Sequence, residues 1–433
     1  MSDAIPLPPR PRLEQYRKIA RDLQRACASG DPGAIDRWGA KALSAIARLR
    51  GERDGNTSAL NRAAQRLTRR WQEFRRTSDR GDRCLLADAQ FFIAREHGFA
   101  SWPKFAAHVE ALSGQTPVAR FEAAADAIVA GDITTLRALL RDHPELVAAR
   151  STRDHGSTLL HYVSANGVED FRQITPPNIV EIARLLLDRG ADVNAESAAY
   201  GGGSTTLGLA ATSIHPEQAG VQTALLELLL ARGADIEKPG LTGNQHSAVW
   251  GCLANGQGGA ARLFADRGAR MNLAEAAGVG RLDVVRTFFD EHGRLRDASL
   301  QRQMEEGFLY ACGYGRLDTA RYLLDRGVNP GVCDDAGQTP LHWTSYGPHV
   351  EVAALLLERG APIDPRDHRF NATPLEWALR AAAATDHADR ERAYQLVALL
   401  SRAGAALEID RLGEDAARRI EEDERLQRAL KGI

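Results

Sequence analysis

From residue 121 onward one phrase returns: the end of a leucine-rich helix, then Arg-Gly-Ala or a near variant. It reads LLLDRGADVN at Leu185–Asn194, LLLARGADIE at Leu228–Glu237, LFADRGARMN at Leu263–Asn272, LLDRGVN at Leu323–Asn329, LLLERGAPID at Leu355–Asp364 and LLSRAGA at Leu399–Ala405. A weaker copy ends at Phe288–Gly293. The glycines fall at 190, 233, 268, 293, 327, 360 and 404, with gaps of 43, 35, 25, 34, 33 and 44. A period near 33, with two copies stretched and one shortened, is the mark of a stacked repeat array. The leucine run supplies one apolar helix face, and Gly after Arg ends the helix in the left-handed region. One helix pair cannot bury that face alone, so each copy must lean on the next.

The other half of the period reads QTPLH at Gln338–His342, STLLH at Ser157–His161, TTLGLAA at Thr205–Ala211 and TPLEWA at Thr373–Ala378. Thr caps a helix start and Pro suits its first turn. On these residues the chain resembles the ankyrin family, whose motif runs Thr-Pro-Leu-His, two alanines, a glycine and the leucine helix. About eight copies are expected, near 121–150, 154–197, 204–239, 244–272, 273–297, 304–333, 334–366 and 367–407. The resemblance implies an all-α fold: an ankyrin-repeat solenoid behind a small helical N-terminal domain, closed by a C-terminal capping helix. It also implies that His161 and His342 bridge neighbouring backbone in the turn. Two copies carry extra residues, around Val168–Asn178 and Ser213–Val221. With Pro176-Pro177 barring a helix, the first is expected to be a surface loop outside the core.

Residues 12–112 lack the phrase but keep helical periodicity, with Leu13, Tyr16, Ile19, Leu23 and Cys27 on one stripe and Leu60, Ala63, Ala64, Leu67, Trp71 and Phe74 on another. Five helices are expected there. The segment resembles a helical module found ahead of ankyrin arrays in bacterial proteins. Residues 1–116 carry 21 basic and 13 acidic side chains, and the remainder 34 and 44. That contrast places domains at 1–116, 117–407 and 408–433, the last a capping helix on Leu412, Ala416, Ile420, Leu426 and Leu430. Arginine outnumbers lysine 50 to 5, which points to a GC-rich, bacterial genome. Five scattered cysteines without a CxxC suit buried single thiols in a reducing, cytoplasmic setting. Met1–Arg12 has no apolar signal core, and no apolar run is long enough for a membrane span.

No metal, nucleotide or nucleophile motif is present, so no catalytic residue, cofactor or metal is assigned. Gly201-Gly202-Gly203 reads as a hairpin tip rather than a phosphate cradle. The partner-binding candidates are Tyr314, Tyr346, Trp250, Trp343, Trp377, Glu376 and Arg380, on or beside the first helices of the repeats. Trp, Tyr and Arg are the usual interface anchors. Tyr314 and Tyr346 are expected to face the groove without being needed for stacking. The function implied is a non-enzymatic, cytoplasmic scaffold that grips a protein partner through its concave face and hairpin tips. The alternative is an enzyme or small-molecule binder with an aromatic and carboxylate-lined pocket in that groove. Nucleic-acid binding through the arginines at 62, 66, 69, 70, 75, 76, 80 and 83 ranks below both, because acids interrupt the run.

Overall fold

The computed structural model describes residues 5–8, 11–31, 33–49, 57–77, 83–238, 247–345, 347–384, 387–408, 418 and 420–432. The chain forms two compact units, Met1–His246 and Ser247–Ile433. The first begins with the five expected helices: α1 (Leu13–Ala28), α2 (Ala34–Leu49), α3 (Thr57–Thr77), α4 (Leu86–Glu96) and α5 (Trp102–Ala111). Their stripes meet in a core of their own, with Tyr16, Leu23, Trp38, Leu67, Trp71, Phe92, Phe99 and Phe105 buried. Two arginines of α3 turn inward, Arg70 to Glu96 at 3.0 Å and Arg75 to Asp88 at 3.6 Å. Part of the basic run therefore serves the module itself. The expectation of single thiols fails at one pair. Cys27 and Cys84 are joined, 57 residues apart in sequence, because α1 packs beside α4 and brings their ends together. Cys252 and Cys312 are buried and outside any disulfide, and Cys333 is exposed.

The helices α6 (Pro117–Val129) and α7 (Ile133–Asp142) follow the capping residue Thr116. Its hydroxyl accepts from the Ala119 amide at 3.1 Å, and Asp132 accepts from Thr135 at 2.9 Å, so both starts are capped by side chains. Next comes a copy built from a 3-10 helix, Leu159–Ser164, and the helix Ile179–Asp188. At its end the Ala191 amide donates to Leu186 at 3.0 Å while Gly190 sits at φ 90°. A Cβ on Gly190 would meet nothing within 4 Å, so the backbone angle and not space demands glycine. The two-residue strands Glu196–Ser197 and Ser204–Thr205 pair antiparallel, in register Glu196 with Thr205. Gly201–Gly203 form the tip between them, all at positive φ.

The motif histidines are structural braces. His161 Nδ1 accepts from the Thr158 amide at 3.1 Å, and Nε2 faces the Ser204 carbonyl of the next copy at 3.2 Å. In the second unit His342 repeats the arrangement with Thr339 at 3.0 Å and Ala372 at 3.0 Å. Burial holds the His161 imidazole down at about 4, so it works as a neutral linker.

The insertion at Val168–Asn178 is not the surface loop its prolines suggest. Val168, Glu169, Arg172 and Pro176 are buried, although Asp170, Ile174 and Pro177 are exposed. Arg172 reaches Glu122 of α6 at 2.8 Å and Asp126 at 2.6 Å, and Arg153 pairs with Glu169 and, at 3.3 Å, with Glu122. Arg153 also donates to the His97 carbonyl at 2.9 Å and lies over the Phe99 ring. Two arginines and two glutamates thus fasten insertion, first helix and N-terminal module together. Burial pushes Glu169 and Glu122 up, but the two guanidiniums more than offset it and both stay below the ordinary carboxylate value.

Removing one member of such a cluster leaves buried charge unpaired. Arg172→Met is expected to lower stability by about 3–5 kcal/mol, read from urea unfolding followed by far-UV circular dichroism. A change below about 1 kcal/mol, the scale of a surface substitution, would return the insertion to the surface.

Candidate recess in the second unit

The second unit stacks helix pairs: Ala248–Ala254 with Gly258–Asp266, Leu273–Val279 with Leu282–Thr287, Gln301–Gly313 with Leu317–Asp325, Pro340–Trp343 with Val350–Glu358, and Pro374–Ala384 with His387–Arg402. One core runs through the last four of these pairs, from Leu273 through Phe308, Leu341 and Leu375 to Leu400. The terminal helix Glu424–Leu430 adds Leu426 and Ala429 to that core, and the Tyr394 hydroxyl meets Asp423 ahead of it. Leu412 and Ala416 of the expected capping helix lie outside the described residues.

The turns between the two helices of the first, third and fourth pairs, with the helix ends beside them, leave a recess of about 530 Å³. Leu253, Ala254, Asn255 and Gly256 form one wall, Gly313 and Tyr314 the next, and Trp343, Gly347 and His349 the third. Glycines make room for its rings. A Cβ on Gly258 would stand 2.7 Å from the Tyr314 ring, and one on Gly313 would stand 2.7 Å from that of Trp343. The Tyr314 hydroxyl donates to the Leu253 carbonyl, two helix pairs earlier. His349 Nε2 lies 3.0 Å from the Gly313 carbonyl, and burial holds its imidazole below the ordinary histidine value. The lining among the described residues contains no Asp or Glu, so its chemistry is aromatic, amide and aliphatic.

Of the candidates read from the sequence, Tyr314 and Trp343 meet in this recess. Tyr314 departs from expectation in one respect. It is half-buried and bridges repeats, so it contributes to stacking as well as to the surface. Trp343 donates to Asp334 at 3.2 Å and stands edge-on to Tyr310 at 5.6 Å. Trp377 repeats the arrangement one copy on, donating to Asp367 at 3.0 Å. Trp250 donates to Glu306 at 3.3 Å. Neither Trp250 nor Trp377 lines the recess. Glu376 is a buried capping residue that accepts from the Thr373 amide at 2.9 Å and pairs with Arg366 at 3.4 Å. Arg380 is exposed and lies over the Phe370 ring at 5.5 Å, away from the recess lining. Tyr346 lies outside the described residues.

The acids that the alternative reading needs are occupied. Asp367 takes turn amides at 2.7 to 3.1 Å together with the Trp377 indole, and Asp335 pairs with Arg302 at 3.6 Å. Glu275 caps its own helix through the Asn272 amide at 3.0 Å. No group of three or more His, Cys, Asp or Glu able to hold a metal occurs among the described residues. Sequence reasoning missed His349, Asn255 and the glycines at 256, 313 and 347. Their signal was present in the inner loops, written NGQGGA, GYGRLDT and YGPHVE, which recur at one place in the period.

Family models agree with this architecture in both units: "Ankyrin repeat" matches residues 155–198, and "Ankyrin repeats (3 copies)" matches residues 308–389. The chain is an ankyrin-repeat protein. The ankyrin repeat-containing protein P1E11.10 of Schizosaccharomyces pombe is 39% identical over 66 residues, 15% of this chain and 31% of that protein. Human ankyrin repeat domain-containing protein 39 is 34% identical over 68 residues, 16% of this chain and 37% of its own length. Palmitoyltransferase Hip14 of Drosophila melanogaster is 34% identical over 70 residues, 16% of this chain and 11% of that enzyme. The chain therefore spans about a tenth to about a third of these relatives, and the likeness to the transferase is confined to its ankyrin region. No helix among the described residues is long and apolar enough to cross a membrane.

Alanine is normally favoured over glycine in a helix by about 1 kcal/mol. At Gly313, the last residue of its helix, the Trp343 ring occupies the space a methyl would need. Gly313→Ala is therefore expected to destabilise, by about 1–3 kcal/mol, the cost of overpacking. Urea unfolding followed by tryptophan fluorescence measures it, and a net gain in stability would mean that the ring does not rest on this glycine.

Proposed function

We propose that this ankyrin protein is a non-enzymatic scaffold and that the recess between Leu253 and His349 seats an anchor side chain of a protein partner. Ankyrin repeats generally mediate protein–protein interactions, which supports the class of function. The observation that carries the site is the convergence of Tyr314 and Trp343 on one volume already shaped by three turns. Anchor residues dock best into such preformed, desolvated pockets, where little ordering is left for binding to do. A lining without carboxylates fits an aliphatic or aromatic side chain better than a cation. Two further candidates, Trp377 and Arg380 with Phe370 between them, would then form a separate contact, where Arg380 and the exposed Phe370 ring can pair with a partner's polar rim. We assign residues 1–116 as a helical module, 117–407 as the array and 408–433 as its cap. Support comes from the separate core of α1–α5, the capped helix start at Thr116 and the cover that Leu426 and Ala429 provide.

Ala254 lines the recess yet is exposed, so a large side chain there fills the volume without disturbing the core. A partner captured from the host by the wild-type protein and identified by mass spectrometry is expected to bind Ala254→Trp at least about tenfold more weakly in calorimetry, an anchor-scale loss. Equal affinity of the two proteins would move the site elsewhere.

A further inference from the structure

The N-terminal helices carry a cavity that the repeat reading does not use. Between α1 and α2 lies a slot of about 380 Å³, the lower end of the range for small-molecule sites. Ile19, Trp38, Ala42, Ile46 and Leu49 give it apolar walls. Leu49 is 44% exposed, an unusual place for a leucine on a helix that otherwise buries its apolar face.

Two further observations say what kind of molecule would suit it. Tyr16, only 1% exposed, lines the slot, and its hydroxyl has no hydrogen-bond partner. Buried hydroxyls are nearly always satisfied, so this donor calls for an acceptor. The slot is also edged by Lys18, Lys41 and Arg48 against one acid, Asp22, which pairs with Lys41 at 3.8 Å. Lys18 and Arg48 are exposed and form no ion pair among the described residues. Apolar walls, an unanswered donor and two uncommitted cations describe an amphipathic molecule with an anionic, hydrogen-bond-accepting head.

We propose that the α1–α2 slot binds an aliphatic carboxylate, its chain against Ile19, Trp38, Ala42 and Ile46 and its charge answered by Lys18 and Arg48. The cations give the site its preference for the ionised head, since an uncharged alcohol of equal length gains the apolar contact alone. The site is independent of the recess in the second unit.

Calorimetric titration of the full chain with decanoate, and separately with decanol, tests this. Saturable decanoate binding with a Kd below about 1 mM is expected, at least about fivefold tighter than decanol. Reversing the charges in Lys18→Glu/Arg48→Glu, both exposed positions, is expected to weaken decanoate about tenfold and leave decanol unchanged. Ala45→Trp, another exposed lining position, should abolish binding of both by filling the slot. Far-UV circular dichroism checks that each variant is folded, and either variant alone suffices if the other is not. Absence of saturable decanoate binding to the wild-type chain would overturn the proposal. So would equal decanoate affinity in the charge-reversed protein, or undiminished binding to Ala45→Trp.

Discussion

No helix pair in this chain can close its own core, and the stack is held in step by a buried neutral imidazole. His161 and His342, 181 residues apart, each tie the start of one helix to a carbonyl of the following hairpin. Each accepts a backbone amide that the first turn would leave orphaned and meets a carbonyl that the next hairpin would leave bare. The apolar helices supply most of the energy, but such bonds are directional and set how far one copy slides along another. The recess depends on that alignment. Its walls come from loops of different helix pairs, and a slip of any pair would separate Tyr314 from the Leu253 carbonyl.

A second kind of fastening works where the motif is weakest. The helices α6 and α7 lack Thr-Pro-Leu-His, and the following copy has only a 3-10 helix in its first half. There the Arg153, Arg172, Glu122 and Glu169 cluster joins elements that a regular copy would join through apolar packing. Buried ion pairs are costly to desolvate and give geometric specificity more readily than net stability. In this place the specificity is the seating of an irregular insertion on a helix and on the module ahead of it.

The regular parts of the fold were legible because period, cap and apolar face repeat together. The five N-terminal helices and the glycine stops follow from local rules, and the bridging histidines from the resemblance to the ankyrin motif. The insertion was misread because prolines and mixed polarity describe a loop without saying where its charged side chains turn, and the partners of Arg172 lie 46 and 50 residues away. Cys27 and Cys84 pair for a similar reason, since helix packing and not spacing brings them together. At the candidate site the aromatic residues were visible and their roles less so. Trp377 and Glu376 hold hairpins and helix starts, whereas Tyr314 and Trp343 do that and also line a recess. His349 escaped notice because one histidine after Gly-Pro carries no pattern by itself.

The recess is the surface proposed to be covered by a partner. Hydrogen exchange of the full chain, with and without its captured partner and followed by mass spectrometry, examines this without any substitution. Slowed exchange is expected in peptides spanning 251–258 and 311–317, whose loops wall the recess. Protection confined to residues 13–111, with these loops unchanged, would contradict it.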